Sequence, residues 1–190
     1  MTASGAAGPA GCDVHVALLR GINVGGRHKL PMKSLVRLFD ETGCRHVRTY
    51  IQSGNVVFEA PPALARRIPA AITRSISEHF GFEIPVVTRS ADELSQIVNA
   101  NPFQEPGTDE RVLHVAFLAD LPDATRIASL DPNRSSPDEF AVCGREIYLR
   151  LPNGVARTKL TNAYFDSRLA TTSTMRNWRT TLKMLALAVG

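Results

Sequence analysis

The stretch Arg20-Gly21-Ile22-Asn23-Val24-Gly25-Gly26-Arg27-His28-Lys29 holds the residue types best suited to gripping an anion. Glycines let backbone N–H groups converge on a phosphate or carboxylate, and Arg20, Arg27 and Lys29 add cationic side chains. Gly21 and Gly26 have Walker A spacing, but Arg27-His28 stand where a P-loop needs Lys and then Ser or Thr, and Leu30-Pro31 delays the following helix. The spacing also departs from G-x-G-x-x-G, which removes a dinucleotide fingerprint. What remains is a basic glycine-rich loop whose candidate contacts are Arg20, Gly21, Asn23, Gly25, Gly26 and Lys29.

Two further segments offer matching chemistry. Gln52-Ser53-Gly54-Asn55 is a turn whose polar side chains, Gln52, Ser53 and Asn55, suit hydrogen bonds to a ligand, while Ser53 lacks the G-x-S-x-G setting of a hydrolase nucleophile. Near the C-terminus, Lys159 precedes Thr174-Met175-Arg176-Asn177, a run that reads as the start of the last helix. A helix N-terminus offers free N–H groups and a partial positive charge, so Arg176 and Asn177 placed there suit an anion. The expectation is that Arg20, Asn55 and Arg176 line one pocket. On that view their mutual repulsion makes Arg20 or Arg176 dispensable for folding.

Other titratable residues point away from catalysis and metals. Cys12, Cys44 and Cys143 share no C-x-x-C spacing, and His28, His46 and His79 lack metal-ligand spacing, so no metal or cofactor is expected. His15 and His114 sit at matching places in a repeated strand and read as scaffold. The acidic pairs Asp92-Glu93, Asp109-Glu110 and Asp138-Glu139 are adjacent in sequence, the pattern of a solvated surface, and no convincing general base emerges.

The elements that must position these residues come from a duplication. Val14-His15-Val16-Ala17-Leu18-Leu19 recurs as Leu113-His114-Val115-Ala116-Phe117-Leu118, apolar and β-branched as a buried strand should be. Hairpins turning on Gly54 and Gly144 follow each copy. Met32, Leu35, Val36 and Phe39 mark a helix between Pro31 and Gly43; a second helix over 63–80 must be kinked or delayed by Pro69. A strand over 84–88 and a helix opened by the capping box Ser90 to Glu93 complete a β-α-β-β-α-β order. That order is the split βαβ, ferredoxin-like arrangement. The second half repeats strand, helix and hairpin and then reads as two C-terminal helices, near 160–169 and 176–188, with Trp178 as a core anchor. The fold class is therefore α+β, with duplicated ferredoxin-like halves: a loose tail over 1–12, a first half over 13–100, a linker over 101–110 and a second half over 111–190.

Net charge is +4 overall, but residues 20–48 carry +5 and residues 150–190 carry +6, against −6 for residues 49–149. If folding unites the two basic blocks, they form one surface for an anionic partner. Aromatics are 6% of residues, too few for a nucleic-acid stacking platform, and no run of about 18 apolar residues suggests a membrane span. Met1 to Cys12 lacks the basic and apolar regions of a signal peptide, so a cytoplasmic location is expected.

Five segments in order, 17–26, 49–58, Asn101-Pro102-Phe103, Lys159-Leu160-Thr161-Asn162 and Thr174-Met175-Arg176-Asn177-Trp178, resemble the DUF1697 family of bacterial proteins of unknown function. The resemblance spans roughly 13–188 and implies two ferredoxin-like halves, with no activity, substrate or cofactor attached. Met175 departs from the small or polar residue expected before Arg-Asn-Trp. The functional expectation is a binder of an anionic, phosphate-bearing small molecule, nucleotide or nucleic-acid segment, acting as monomer or homodimer. The alternatives are a transferase or hydrolase acting on a phosphorylated or carboxylated small molecule, and a ligand-free interaction or oligomerisation module.

Overall fold

The computed structural model describes residues 11–190, so the expected tail falls almost wholly outside the described residues. The first half runs β1 (Asp13–Leu19), α1 (Met32–Glu41), β2 (Arg45–Tyr50), β3 (Asn55–Ala60), α2 (Pro62–Ala65), α3 (Ile68–Phe80), β4 (Val86–Ser90) and α4 (Ala91–Asn99). The second runs β5 (Leu113–Leu118), α5 (Ala124–Ala128), β6 (Glu139–Cys143), β7 (Glu146–Arg150), α6 (Asn162–Leu169), β8 (Ser173–Asn177) and α7 (Trp178–Val189). The strands form two antiparallel sheets, ordered β2-β3-β1-β4 and β6-β7-β5-β8. Each half is thus ferredoxin-like, and β1 and β5 hold equivalent places.

Local chemistry accounts for most of these bounds. The helix expected over 63–80 divides in two at Arg66-Arg67, because Pro69 is placed in the first turn of α3, where its missing N–H costs nothing. Gly81 closes α3 in the left-handed conformation at φ 76°. Ser90 and Glu93 form a full capping box on α4.

One element corrects the reading of the C-terminus. Thr174 to Asn177 is not a helix start but most of a strand, β8, paired to β5 through His114↔Asn177 and Val115↔Arg176. Its sequence, Ser-Thr-Met-Arg-Asn, holds one apolar residue, and the i, i+4 spacing running on from Trp178 mimics a longer helix. Pairing with the buried β5 overrides that local pattern. Asn177 is the N-cap of α7, its Oδ1 accepting from the Thr180 amide at 2.8 Å, just as Ser90 caps α4.

Period-two alternation sends strand residues into three cores. Ala17, Leu19, Val56 and Phe58 pack outward under α1 and α3. Ala116, Leu118, Ile147 and Leu149 pack outward under α6. Val16, Leu18, Val57, Val115, Phe117 and Tyr148 face inward to a shared core that also takes Leu94 and Ile97 of α4 and Trp178 and Met184 of α7. Phe103, from the segment read as a linker, packs on the same core, and Asn101 accepts its amide at 3.0 Å. The two halves therefore share one interior, and the ends of β4 and β8 meet where they join.

Candidate functional site at the joint between the halves

Arg89 and Arg176 occupy the same position in β4 and β8, one residue before the helix cap, and each reaches into the opposite half. Arg89 donates from Nε to Glu146 at 2.8 Å and from Nη2 to the carbonyls of Leu118 at 2.8 Å and Arg145 at 3.0 Å. Arg176 donates from Nε to Asn55 Oδ1 at 2.6 Å and from Nη2 to the carbonyls of Leu19 at 2.6 Å and Gly54 at 3.4 Å. Leu19 and Leu118 end the repeated strands, and their amides bond the carbonyls of Gly54 and Arg145, so the acceptors correspond one for one. The planar fork of a guanidinium suits this use, since it satisfies several converging carbonyls at once.

The symmetry breaks in charge. Arg89 faces the carboxylate of Glu146, and beside it Arg145 pairs with Glu93, two cations against two anions. Arg176 faces the neutral amide of Asn55. The charge next to it is the pair Arg20–Asp166, in which Arg20 Nη1 donates to Asp166 at 2.6 Å and to the Ser173 carbonyl at 2.8 Å. That joint therefore holds two cations against one anion. Burial pushes Arg176 down to about 10, still protonated at neutral pH.

A groove of about 1050 Å³ opens beside this joint. Arg20, Gly21 and His28 line one side, Thr73, Arg74 and Ser77 of α3 the other, and Ala119 and Thr172 of the second half close it. Ala119 is the second half's counterpart of Arg20, as their amides bond the equivalent carbonyls of Thr172 and Pro85 at 2.8 and 3.0 Å. Glu78 and Glu83 also border the groove, and Glu78 lies 4.0 Å from Arg74.

The structure distributes the other expected contacts unevenly. The glycine-rich loop folds as a small hairpin bridged between Val24 and Arg27, with Gly25 and Gly26 at φ 57° and 76° as its turn. The amides of Asn23 and Arg27 close it onto the carbonyls of His28 and Val24 at 3.1 and 3.0 Å. Asn23 closes the loop's base, donating to the carbonyls of Leu30 and Gln52 and accepting from the Leu30 amide. Asn23, Gly26, Lys29 and Gln52 border a separate, smaller groove of about 360 Å³. Ser53 Oγ accepts from Asn55 Nδ2 at 2.9 Å, and Asn55 is fully buried. Arg20, Asn55 and Arg176 do converge, but as a packed joint in which Arg20 alone reaches the large groove. Lys159 lies elsewhere, its amide held by Ser135 at 2.9 Å in the loop before α6.

Sequence reasoning missed Arg89, Glu146 and Asp166. A signal was present for Arg89: aligning Arg89-Ser90 with Arg176-Asn177, each before a helix, pairs it with an arginine that the sequence had already nominated. Asp166 had none, because its role depends on where α6 lies against Ser173, whose amide and hydroxyl it accepts at 2.8 and 2.6 Å.

The matched histidines are scaffold with a pH consequence. Burial lowers both His15 and His114 below 6.5. The unfolded chain therefore takes up protons before the folded one as pH falls, so stability present at neutral pH drops over the range below about pH 6.5. Urea midpoints across that range are expected to show this slope, and a His15→Leu/His114→Leu variant is expected to flatten it.

Among solved structures, the chain is similar to a conserved bacterial protein, SP0830, from Streptococcus pneumoniae, at 20% identity and a TM-score of 0.71, with 93% of this chain and 99% of that chain covered. That likeness is one of fold. No curated protein matches the chain. A family model described as "Protein of unknown function (DUF1697)" matches residues 13–148, so the two arginine-clasped halves, most of whose length that span covers, belong to the DUF1697 family.

Proposed function

We propose that the protein binds a small phosphate-bearing anion, of nucleotide size, in the groove at the Arg20 joint. The observation that carries this reading is the charge imbalance between two otherwise matched joints: Glu146 stands opposite Arg89, while neutral Asn55 stands opposite Arg176. A duplicated scaffold needs both arginines; it has no structural need for the unequal charge. The excess cation, Arg176, bonds the carbonyl of Leu19, the residue before Arg20, which lines the large groove, and a volume of about 1050 Å³ is at the upper end of small-molecule sites. Arg20 holds its acidic partner through Nη1, which leaves Nε and Nη2 for a ligand, and Arg74, His28 and Ser77 supply further charge and hydrogen bonding. Glu78 and Glu83 limit the anion to the Arg20 end.

Calorimetric titration with inorganic phosphate, a nucleoside diphosphate and a short single-stranded oligonucleotide tests the reading. Saturable binding of the diphosphate is expected, weakened roughly 30-fold or more in Arg20→Ala, since truncating a ligand-positioning charge commonly costs about 2 to 5 kcal/mol. Asn55→Asp, which places a carboxylate against Arg176, is expected to weaken binding by neutralising the excess charge. A wild-type protein that saturates with none of the three probes sinks the proposal, and affinity unchanged in Arg20→Ala moves the site elsewhere.

A further inference from the structure

We propose that β6 is a self-association edge, through which two copies of this chain pair antiparallel about a twofold axis at Ala141. β2 and β6 occupy the same topological place, the outer edge of each sheet. β2 carries the features that block edge pairing: a break in register between Arg45 and Arg48, His46 at φ 50°, and three basic side chains in six residues. β6, Glu139-Phe140-Ala141-Val142-Cys143, has unbroken register with β7 and no basic residue.

The pairing geometry follows from the hairpin. Cys143↔Glu146 closes a two-residue turn, so residues 143, 141 and 139 direct their N–H and C=O groups toward β7. The other side of β7 confirms this phase, because the Arg145 carbonyl and the Leu151 amide bond β5 and its entry, to Leu118 and Val112. Phe140 and Val142 therefore turn their N–H and C=O groups outward. An antiparallel partner satisfies all four by pairing Phe140 with Val142 of the second copy, and Val142 with its Phe140. Ala141 then faces its own copy in a non-hydrogen-bonded pair, where Cα atoms approach to about 4.5 Å and a small side chain fits best. Phe140 against Val142 is an aromatic and β-branched pair, a favourable cross-strand match, and both side chains are half-buried at the rim of the outer core. Charge selects the same sense: the antiparallel arrangement lays acidic Glu139 of one copy toward the basic Arg145 turn of the other, whereas a parallel one stacks Glu139 on Glu139.

Sedimentation velocity across a wide concentration range tests this. A reversible dimer is expected. Val142→Pro removes an outward N–H that no described residue bonds, and is expected to raise the dimer dissociation constant at least tenfold while leaving the urea midpoint of the monomer near wild type. Phe140→Lys replaces both aromatic cross-strand pairs with a cation and is expected to raise the constant as much, with a lower monomer midpoint because Phe140 also packs edge-on against Phe165. Ala141→Cys, in a Cys12→Ser/Cys143→Ser background, is expected to form an intermolecular disulfide on mild oxidation, since a non-hydrogen-bonded pair lies within disulfide reach. A monomer at every concentration overturns the proposal, as does a dimer indifferent to both edge variants or one that fails to cross-link at residue 141.

Discussion

Replacing Arg176 with alanine is expected to destabilise the protein by about 3 to 5 kcal/mol, the range for removing one member of a buried charged network. Charge counting alone gives the opposite sign, since removing one of two neighbouring arginines relieves repulsion. The structure reverses that expectation because every acceptor Arg176 meets is a neutral group of the fold. Its guanidinium serves Asn55 Oδ1 at 2.6 Å, Thr174 Oγ1 at 2.8 Å, and the carbonyls of Met175 at 2.9 Å, Leu19 at 2.6 Å, Ser53 at 3.3 Å and Gly54 at 3.4 Å. Alanine takes a donor from each of these oxygens; the Gly54 carbonyl keeps the Leu19 amide, while an oxygen left with none costs about 1 to 3 kcal/mol where water cannot replace the arginine. Water entering the vacated space recovers part of that cost, which keeps the net below the simple sum. Arg176→Lys retains the charge but cannot span carbonyls of β1 and the 51–54 turn at once, so it is expected to recover only part of the loss. Urea unfolding monitored at the single Trp178 measures both; a wild-type midpoint for Arg176→Ala rejects the clasp.

Gly54→Ala is expected to cost about 2 to 5 kcal/mol, combining backbone strain with overpacking. Gly54 sits at φ 76°, and a Cβ there meets Leu19 Cβ at 2.7 Å and Ile22 Cδ1 at 3.0 Å. Neither neighbour is the loose end of an exposed chain: Leu19 belongs to β1, and Ile22 is buried in the outer core. The same displacement moves the Gly54 carbonyl, which accepts from Leu19 and from Arg176. Gly144→Ala is the comparison that separates the two contributions. Gly144 also has a positive φ, 62°, but its Cβ meets nothing nearer than Glu146 Oε2 at 3.8 Å, so strain alone remains and about 1 kcal/mol is expected. Thermal melts of the pair check this, and equal losses at the two positions mean that close packing at Gly54 contributes nothing.

The sequence segments that first suggested an anion site thus have a structural use that the chemistry of their side chains did not disclose. Asn23 ties the glycine hairpin to the neighbouring turn, Asn55 receives Arg176, and Asn177 caps α7. Each is polar because it meets backbone N–H or C=O groups at the end of an element, where such groups lack secondary-structure partners. The ligand-facing part of the proposal rests on Arg20 and on the charge that Asn55 leaves unbalanced, a narrower basis than the twelve residues that the sequence nominated.

What the sequence determined by itself is the duplicated architecture. Period-two apolar runs at 14–19 and 113–118, glycine turns and capped amphipathic helices are local signals, and each acts within a few residues of where it is written. Tertiary structure alone decided three things. It made Ser173–Asn177 a strand, because an open edge of β5 offers hydrogen bonds worth more than the weak helical pattern of that segment. It turned Arg176 from a helix-end charge into a buried clasp, because residue 176 of a strand faces inward where the same residue of a helix start would face solvent. And it set Asp166 against Arg20, 146 residues apart, a pairing that exists only because α6 and the end of β1 meet at the joint. Contacts of that kind depend on how two packed halves approach, and no short window of sequence records the approach.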